Sequence, residues 1–139
     1  NYTVPFGQAA VIRPGDDITL VSYSRMVHVT MEAARTLSEL GIEAEVIDLR
    51  TLRPLDIETV IESVQKTGRA TVVEETWKTG GFAGEVASTI QEMAFDHLDG
   101  PVGRVGGVET PTPYAFNLEP NAIPSSGRIV EYVQMLYGL

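Results

Sequence analysis

One pattern occurs three times along this sequence: a short apolar run, then a turn, then a helix with one apolar face. The apolar runs cover residues 18–23, 44–49 and 70–73. This order is typical of a parallel sheet whose strands are joined by crossover helices, each of which buries its apolar face against the sheet. The pattern therefore predicts an α/β fold.

The second helix has the clearest boundaries. Asp56 is placed to cap its start, and Gly68 to end it. Between them, the apolar side chains recur at the spacing i, i+3, i+4 and i+7, and these are Ile57, Val60, Ile61 and Val64. Such a stripe covers one side of a helix, so we expect this side to be buried in the core.

Further elements complete the predicted fold. Residues 9–12 and 102–105 are expected to form two more strands. Ser24 is placed to cap the first helix, and Ser125 or Ser126 to cap a last helix near the end of the chain. A length of 139 residues suits one domain with one compact core.

The charge of the chain limits its partners. Lys and Arg number 10 against 19 Asp and Glu, which gives a net charge of -9. Nucleic acid and anionic lipid surfaces would be repelled, so a basic partner is favoured. Because no apolar run approaches the roughly 18–20 residues of a membrane span, we expect a cytoplasmic protein.

Side chains that commonly perform chemistry are few. The chain has no cysteine, which excludes disulfides, thiolate zinc sites and cysteine nucleophiles. Its two histidines, His28 and His97, have no matched Ser, Cys or metal-ligand spacing. A structural role is favoured for both over a catalytic one, and we predict no catalytic residue and no metal site.

A glycine-containing loop, residues 79–84, joins the third predicted strand to a helix. Backbone N–H groups at such a helix start can hold an anion such as phosphate. However, the dinucleotide spacing G-x-G-x-x-G is not met. A tight turn with close helix packing explains the glycines equally well and is the favoured interpretation.

Two charged pairs stand at predicted strand ends. Glu74 and Glu75 lie at the edge where α/β sheets usually bind ligands, but neighbours along a strand point to opposite faces. Solvated or ion-paired carboxylates are therefore favoured over an acid/base pair. Arg50 and Arg53 could bind a carboxylate or phosphate, although ion pairing between domains is the favoured interpretation.

The order of these elements and several motifs resemble one known family. Residues 48–56 read DLRTLRPLD, which is similar to the segment that opens the second helix of transketolase-type C-terminal domains. Further motifs are similar to those of beta subunits, and they read KTGR at 66–69, VEE at 73–75, GGF at 80–82 with Glu85 downstream, FDHLDGP at 95–101 and TPYA at 112–115. The chain thus resembles the C-terminal domain of the beta subunit of a thiamin-diphosphate-dependent 2-oxo acid dehydrogenase, most closely the pyruvate type.

This resemblance implies a particular architecture. We expect residues 1–139 to form a single domain of a longer beta subunit. The implied fold is a three-layer α/β/α sandwich around a mixed sheet of about five strands, in which the first strand is antiparallel to the rest.

The resemblance also implies a division of labour within a larger enzyme. In that family two alpha and two beta subunits form a heterotetramer that oxidatively decarboxylates a 2-oxo acid and acylates a lipoyl group. Thiamin diphosphate and magnesium are held by the alpha subunit and by the N-terminal domain of beta. We therefore expect no cofactor-binding residue in this chain and no activity of the domain alone.

Two residues of this chain match positions through which family members dock a partner. These are Asp99 and Leu139, the latter through its terminal carboxylate. The partner implied is the basic subunit-binding domain of the dihydrolipoyl acyltransferase, and the negative charge of the chain suits it. The same region is expected to lie near the second beta subunit.

Several alternatives stay open at this point. Residues 79–82 (TGGF) resemble branched-chain and acetoin enzymes, whereas PYA at 113–115 is more similar to pyruvate dehydrogenases. Glu109 stands where many relatives have Asp. The equivalent domain of a transketolase-like enzyme and a free-standing nucleotide-binding or flavodoxin-like module are the other candidates.

Overall fold

A computed structural model describes residues 2–139 and contains five strands and five α-helices. The strands are β1 (Ala10–Arg13), β2 (Ile18–Ser22), β3 (Ala44–Asp48), β4 (Ala70–Trp77) and β5 (Gly103–Gly107). The helices are α1 (Met26–Glu39), α2 (Ile57–Thr67), α3 (Phe82–Ala94), α4 (Glu119–Ala122) and α5 (Ser126–Leu136), and a short 3-10 helix covers Phe95–His97. The predicted strands are all present, with boundaries shifted by a few residues; β4 extends the most, through both glutamates and on to Trp77.

The strands form one mixed sheet in the order β1-β3-β2-β4-β5. β1 runs antiparallel to β3, and all other neighbours are parallel. The mixed sheet with an antiparallel first strand is therefore confirmed. Because β3 lies on one side of β2 and β4 on the other, the chain changes direction across the sheet after β3.

The buried residues divide into two clusters, one on each face of the sheet. Leu20 and Val46 pack with α1 and α5 on one face. Their neighbours Val21 and Ile47 point the other way and pack with α2 and α3. This alternation follows from the pleat of a strand, and it confirms the three-layer sandwich.

The predicted boundaries of α2 are confirmed. Asp56 accepts a hydrogen bond from the backbone N–H of Thr59 at 3.2 Å, and a second one from Ala9 N–H at 2.8 Å fastens the start of the chain. At the other end Gly68 has a φ of 71° and donates to the carbonyl of Val64. Only glycine adopts that conformation without strain, which is why the helix stops there.

The cap predicted for α5 is also confirmed, but the one predicted for α1 is wrong. Ser125 accepts a hydrogen bond from Arg128 N–H at 3.2 Å. Ser24, in contrast, has a φ of 56°, and Arg25 after it precedes the helix without any side-chain cap. The left-handed turn at Ser24 directs the chain from β2 into α1, and only its carbonyl accepts a bond, from Val27 N–H at 3.2 Å.

The helices of the domain are short, and the longest, α1, has 14 residues. A membrane-spanning helix needs about 20 apolar residues. Throughout residues 2–139, no helix combines the length and the apolar composition required to cross a bilayer.

We expect Ile61→Ala to lower the free energy of unfolding by roughly 2–5 kcal/mol. Ile61 is 7% exposed and lies in the cluster between α2 and the sheet, so its truncation leaves a cavity. Chemical denaturation measures the change. Glu62→Ala, at the exposed neighbouring position of α2, is the control and should change stability by less than about 0.5 kcal/mol. A similarly small effect for Ile61→Ala would show that this face of α2 is not part of the core.

Candidate functional site

The carboxyl ends of β2 and β4 mark the place where sheets of this kind usually bind ligands. The chain leaves β2 towards α1 on one face and leaves β4 towards α3 on the other face. Loops that diverge in this way open a crevice between adjacent strand ends. The residues at this point therefore decide whether the domain has a ligand site of the usual type.

In this protein the crevice is filled by its own side chains. Glu74 is only 1% exposed, and its Oε2 accepts hydrogen bonds from the hydroxyl of Tyr23 and from the backbone N–H of Ala83, each at 3.0 Å. The ring of Tyr23 meets that of Phe82 edge to face, with centroids 6.4 Å apart. We call Tyr23, Glu74 and Phe82 the crevice plug.

The surroundings of Tyr23 raise the pKa of its phenol. The pKa of Tyr23 is raised to about 12, first by burial, then by the hydrogen bond to Glu74 and by the charges of Glu74 and Glu75. The phenol therefore stays protonated at neutral pH and donates a hydrogen bond to Glu74. Tyr23 is in the wrong state to act as a base, and its role is to pack and to donate.

The two glutamates have different environments, as the strand geometry predicts. Glu75 is exposed, whereas Glu74 points into the protein. They do not form an acid/base pair. For Glu74 the favoured interpretation of a solvated or ion-paired carboxylate is wrong. The backbone N–H of Ala83 at the start of α3 needs an acceptor, and Gly81, the residue before that helix, has no side chain to provide one. Glu74 accepts this hydrogen bond instead.

The glycine loop is built around the same carboxyl group. A Cβ on Gly81 would lie 2.0 Å from Glu74 Oε1 and 2.3 Å from the carbonyl oxygen of Trp77. Gly80 has open space around it but a φ of 73°. Lack of space for a side chain at Gly81 and the positive φ at Gly80 thus explain why both residues are glycine. The carboxyl group of Glu74 occupies the start of α3, where an external anion would otherwise bind.

The other sequence candidates do not converge on a site. Arg50 has a φ of 58° and contacts the hydroxyl of Tyr2 at 3.5 Å, while Arg53 is exposed before Pro54. In the described part of the chain, neither arginine forms a salt bridge. Interdomain ion pairing stays a prediction for both arginines, because neither is paired with a carboxylate among the described residues.

Both histidines lie on the surface, His28 in α1 and His97 in the 3-10 helix. Among residues 2–139, no three or more His, Cys, Asp or Glu side chains are grouped so that they could hold a metal ion. Neither histidine has a hydrogen-bonded acidic partner in that range. The structure therefore supports neither a catalytic nor a metal-binding role for His28 or His97 among the described residues.

Asp99 lies in an exposed loop after the 3-10 helix. Its backbone N–H donates to the carbonyl of Gly68 at 2.8 Å, which holds the loop against the end of α2. The residue lines a pocket of about 190 Å³ together with Arg69, Pro101 and Leu136. The carboxylate is therefore presented at a concave surface.

Leu136, three residues before the last residue of the sequence, also lines this pocket. Arg69 Nη1 donates to the carbonyl of Leu136 at 2.9 Å, and the guanidinium lies 4.1 Å from the ring centroid of Tyr137. Burial raises the pKa of Tyr137; Arg69 opposes this shift, and the charges of Asp17 and Asp99 add to it. The charge of Asp99 thus acts on Tyr137 in the C-terminal segment, residues 136–139, although the two residues are far apart in sequence.

Leu139 ends that segment. It is 75% exposed, and its N–H donates to the carbonyl of Gln134 at 2.9 Å. The structure places it after the turn that follows α5, on the segment that Arg69 fastens. From the sequence Arg69 is known only as the last residue of the motif KTGR. Its contact with Leu136 was not predicted, because no local pattern signals a bond to a carbonyl 67 residues away.

The chain matches a known family model over most of its length. The model is described as transketolase, C-terminal domain, and it covers residues 7–129. A solved structure titled split gene transketolase, inactive beta4 tetramer, is similar over 100% of this chain and 44% of its own, with a TM-score of 0.78 and 29% identity.

Curated relatives carry more specific names. The pyruvate dehydrogenase E1 component subunit beta of Rickettsia bellii is 47% identical over 131 residues, which are 94% of this chain and 40% of that protein. The mitochondrial 2-oxoisovalerate dehydrogenase subunit beta of Dictyostelium discoideum is 46% identical over 117 residues, 84% of this chain and 32% of its own. This chain spans about 40% or less of the length of such relatives. It belongs to the transketolase C-terminal domain family.

Proposed function

We propose that this chain is the C-terminal assembly and docking domain of the beta subunit of a thiamin-diphosphate-dependent 2-oxo acid dehydrogenase, with pyruvate as the substrate of the whole enzyme. The main support for a docking role and against a ligand-binding role is the crevice plug, which fills the place where a ligand-binding α/β domain holds its ligand. The names of the relatives support the kind of enzyme. The same plug counts against a free-standing nucleotide-binding or flavodoxin-like module.

The rest of the proposed enzyme lies outside this chain. An alpha subunit and a second beta subunit complete a heterotetramer, and thiamin diphosphate with magnesium binds between alpha and the N-terminal part of beta. Cofactor chemistry belongs to those parts, while this domain supplies contacts. The cytoplasm remains the proposed compartment, and a mitochondrial location, which the names of several relatives mention, is the alternative.

The docking surface that we propose is the pocket at Asp99 together with the terminal carboxylate of Leu139. Asp99 is exposed, belongs to no salt bridge of the described residues, and lines a concave surface with Arg69 and Leu136. A carboxylate in such a position can meet an arginine of a partner through two hydrogen bonds. The partner proposed is the basic subunit-binding domain of a dihydrolipoyl acyltransferase.

Branched-chain 2-oxo acids are the second candidate class of substrate for the whole enzyme, and one comparison supports them. The relative from Dictyostelium discoideum that is named for 2-oxoisovalerate is 46% identical, close to the 47% of the relative from Rickettsia bellii that is named for pyruvate. The full-length beta subunit, assembled with its alpha subunit, should reduce an artificial electron acceptor faster with pyruvate than with 2-oxoisovalerate. The opposite preference would assign the enzyme to branched-chain substrates, and no turnover of either would contradict the proposed function.

We expect the isolated chain neither to bind thiamin diphosphate nor to decarboxylate a 2-oxo acid. The groups proposed to hold and activate the cofactor lie outside the chain, and its own crevice is filled by the plug. Isothermal titration calorimetry with thiamin diphosphate and magnesium measures this directly. The assembled enzyme is the positive control, and saturable micromolar binding to the isolated chain would contradict the proposed division of labour.

A further inference from the structure

Three of the 10 lysine and arginine residues line a single pocket, although the chain has a net charge of -9. They are Lys78, Arg104 and Arg128, and the pocket has a volume of about 280 Å³. It lies beside the end strand of the sheet, β5, and one face of α5. It shares no lining residue with the pocket at Asp99.

The positive charges of this pocket are not neutralised by the protein. No salt bridge in residues 2–139 involves Lys78, Arg104 or Arg128. Arg104 Nη1 donates to the carbonyl of Lys78 at 3.1 Å, which holds the guanidinium next to that residue and leaves most of its five N–H donors unused. Glu131 is the one carboxylate among the lining residues, so positive charge is in excess.

Two hydroxyl groups lie close to Gly103, the residue before Arg104 in β5. Tyr132, which lines the pocket, packs on Gly103: a Cβ there would be 2.9 Å from the Tyr132 hydroxyl oxygen. The same point is 2.7 Å from Thr71 Oγ1, which is fully buried and has no hydrogen-bond partner among the described residues. Thr71 does not line the pocket, so of these two residues only Tyr132 can offer its hydroxyl to a ligand there.

We propose that this pocket binds a small molecule bearing a phosphate group. Three cations and a tyrosine hydroxyl offer more donors than one carboxylate can accept, whereas a phosphate has three oxygens and up to two negative charges to accept them. The volume, close to the lower end of about 300 Å³ for ligand sites, limits the ligand to a small one. The half-buried Tyr132 and the exposed Met135 supply an apolar surface for the rest of the molecule.

Other occupants fit these observations less well. Nucleic acid would be repelled by the net charge of the chain beyond the pocket. A second copy of this chain, related by a two-fold axis, would bring two positive pockets together. A small anion avoids both costs. It interacts mainly with the charges within the Debye length of about 8–10 Å, which are those of the pocket, and the more distant negative charges of the chain are screened.

The test is a titration of the chain with inorganic phosphate, followed by NMR of backbone amides, with glycerol 3-phosphate in a parallel titration. We expect saturable chemical-shift changes at residues of β5 and α5, with a dissociation constant below about 1 mM. Tighter binding of glycerol 3-phosphate would identify the natural ligand as an organic phosphate, and tighter binding of inorganic phosphate would identify it as free phosphate. Arg104→Gln and Arg128→Gln should each weaken binding about tenfold or more.

Arg35→Gln is the matched control, because Arg35 is an exposed cation of α1 that does not line the pocket. It makes the same change in net charge and should leave the affinity unaltered. Circular dichroism shows that each variant is folded, and Tyr132→Phe tests the hydroxyl without changing charge. Absence of saturable binding, or equal losses in the pocket variants and in Arg35→Gln, would overturn the proposal.

Discussion

Replacing Gly81 with alanine should lower the free energy of unfolding by roughly 3 kcal/mol, because the new methyl group has no room. It would lie 2.0 Å from Glu74 Oε1 and 2.3 Å from the carbonyl oxygen of Trp77. The first contact is relieved by moving the carboxyl group away, whereas the second requires the loop backbone to shift away from β4. Movement of the carboxyl group breaks the hydrogen bonds from Tyr23 and Ala83, which opens the crevice plug.

Two other glycines, Gly80 and Gly100, provide matched controls for this change. Gly80→Ala meets no atom within 4 Å but requires a φ of 73°, so it should cost about 1 kcal/mol. Gly100→Ala has neither obstacle and should be nearly neutral. Chemical denaturation of the three variants separates lack of space from backbone strain. If Gly81→Ala matches Gly100→Ala in stability, the contact between Glu74 and Gly81 does not constrain the fold.

A double variant sharpens the result. Glu74→Ala removes one of the two colliding groups, so its effect and that of Gly81→Ala should not add. The double variant is expected to be less destabilised than the sum of the single changes. Strict additivity would mean that the two residues act independently, contrary to their positions in the structure.

The elements that the sequence predicts well are those with local causes. The cap at Asp56 and the stop at Gly68 depend on backbone groups within four residues, and both appear where expected. The layer assignment depends on alternation along β2 and β3, which is equally local. Ser24 shows the limit of this reasoning, because a serine before a helix predicts a cap only if its backbone is extended, and here it is left-handed.

The parts that the sequence did not predict depend on contacts between distant segments. Glu74 is buried because Tyr23, 51 residues earlier, donates to it, and no pattern around Glu74 signals this. Arg69 fastens the C-terminal segment through the carbonyl of Leu136. The proximity of Asp99 to this segment likewise arises from the packing of the loop against Gly68, which only the folded chain reveals.

Asp99→Ala should weaken docking to the proposed acyltransferase partner by about 2–5 kcal/mol, a loss of roughly 30-fold or more in affinity. A carboxylate buried against an arginine at an interface leaves that arginine unpaired when it is removed. The fold should be unaffected, because the hydrogen bond to Gly68 uses the backbone N–H of Asp99 and not its side chain. Decarboxylation with an artificial electron acceptor should also be nearly unchanged.

Asp96→Ala is the matched control for this variant. Asp96 is an exposed carboxylate in the 3-10 helix three residues earlier, and it does not line the pocket. It removes the same charge at a nearby point, so its loss should alter mainly the association rate and the dependence on salt. A comparison of the two variants separates a specific contact from general attraction between an acidic domain and a basic partner.

The most direct test of the domain's proposed role is surface plasmon resonance between the full-length beta subunit, assembled with its alpha subunit, and the subunit-binding domain of its acyltransferase. We expect tight binding of the wild-type assembly, a dissociation constant raised about 30-fold or more by Asp99→Ala, and little change with Asp96→Ala. Unaltered affinity of the Asp99→Ala assembly, or no binding of the wild type, would contradict the proposed docking role.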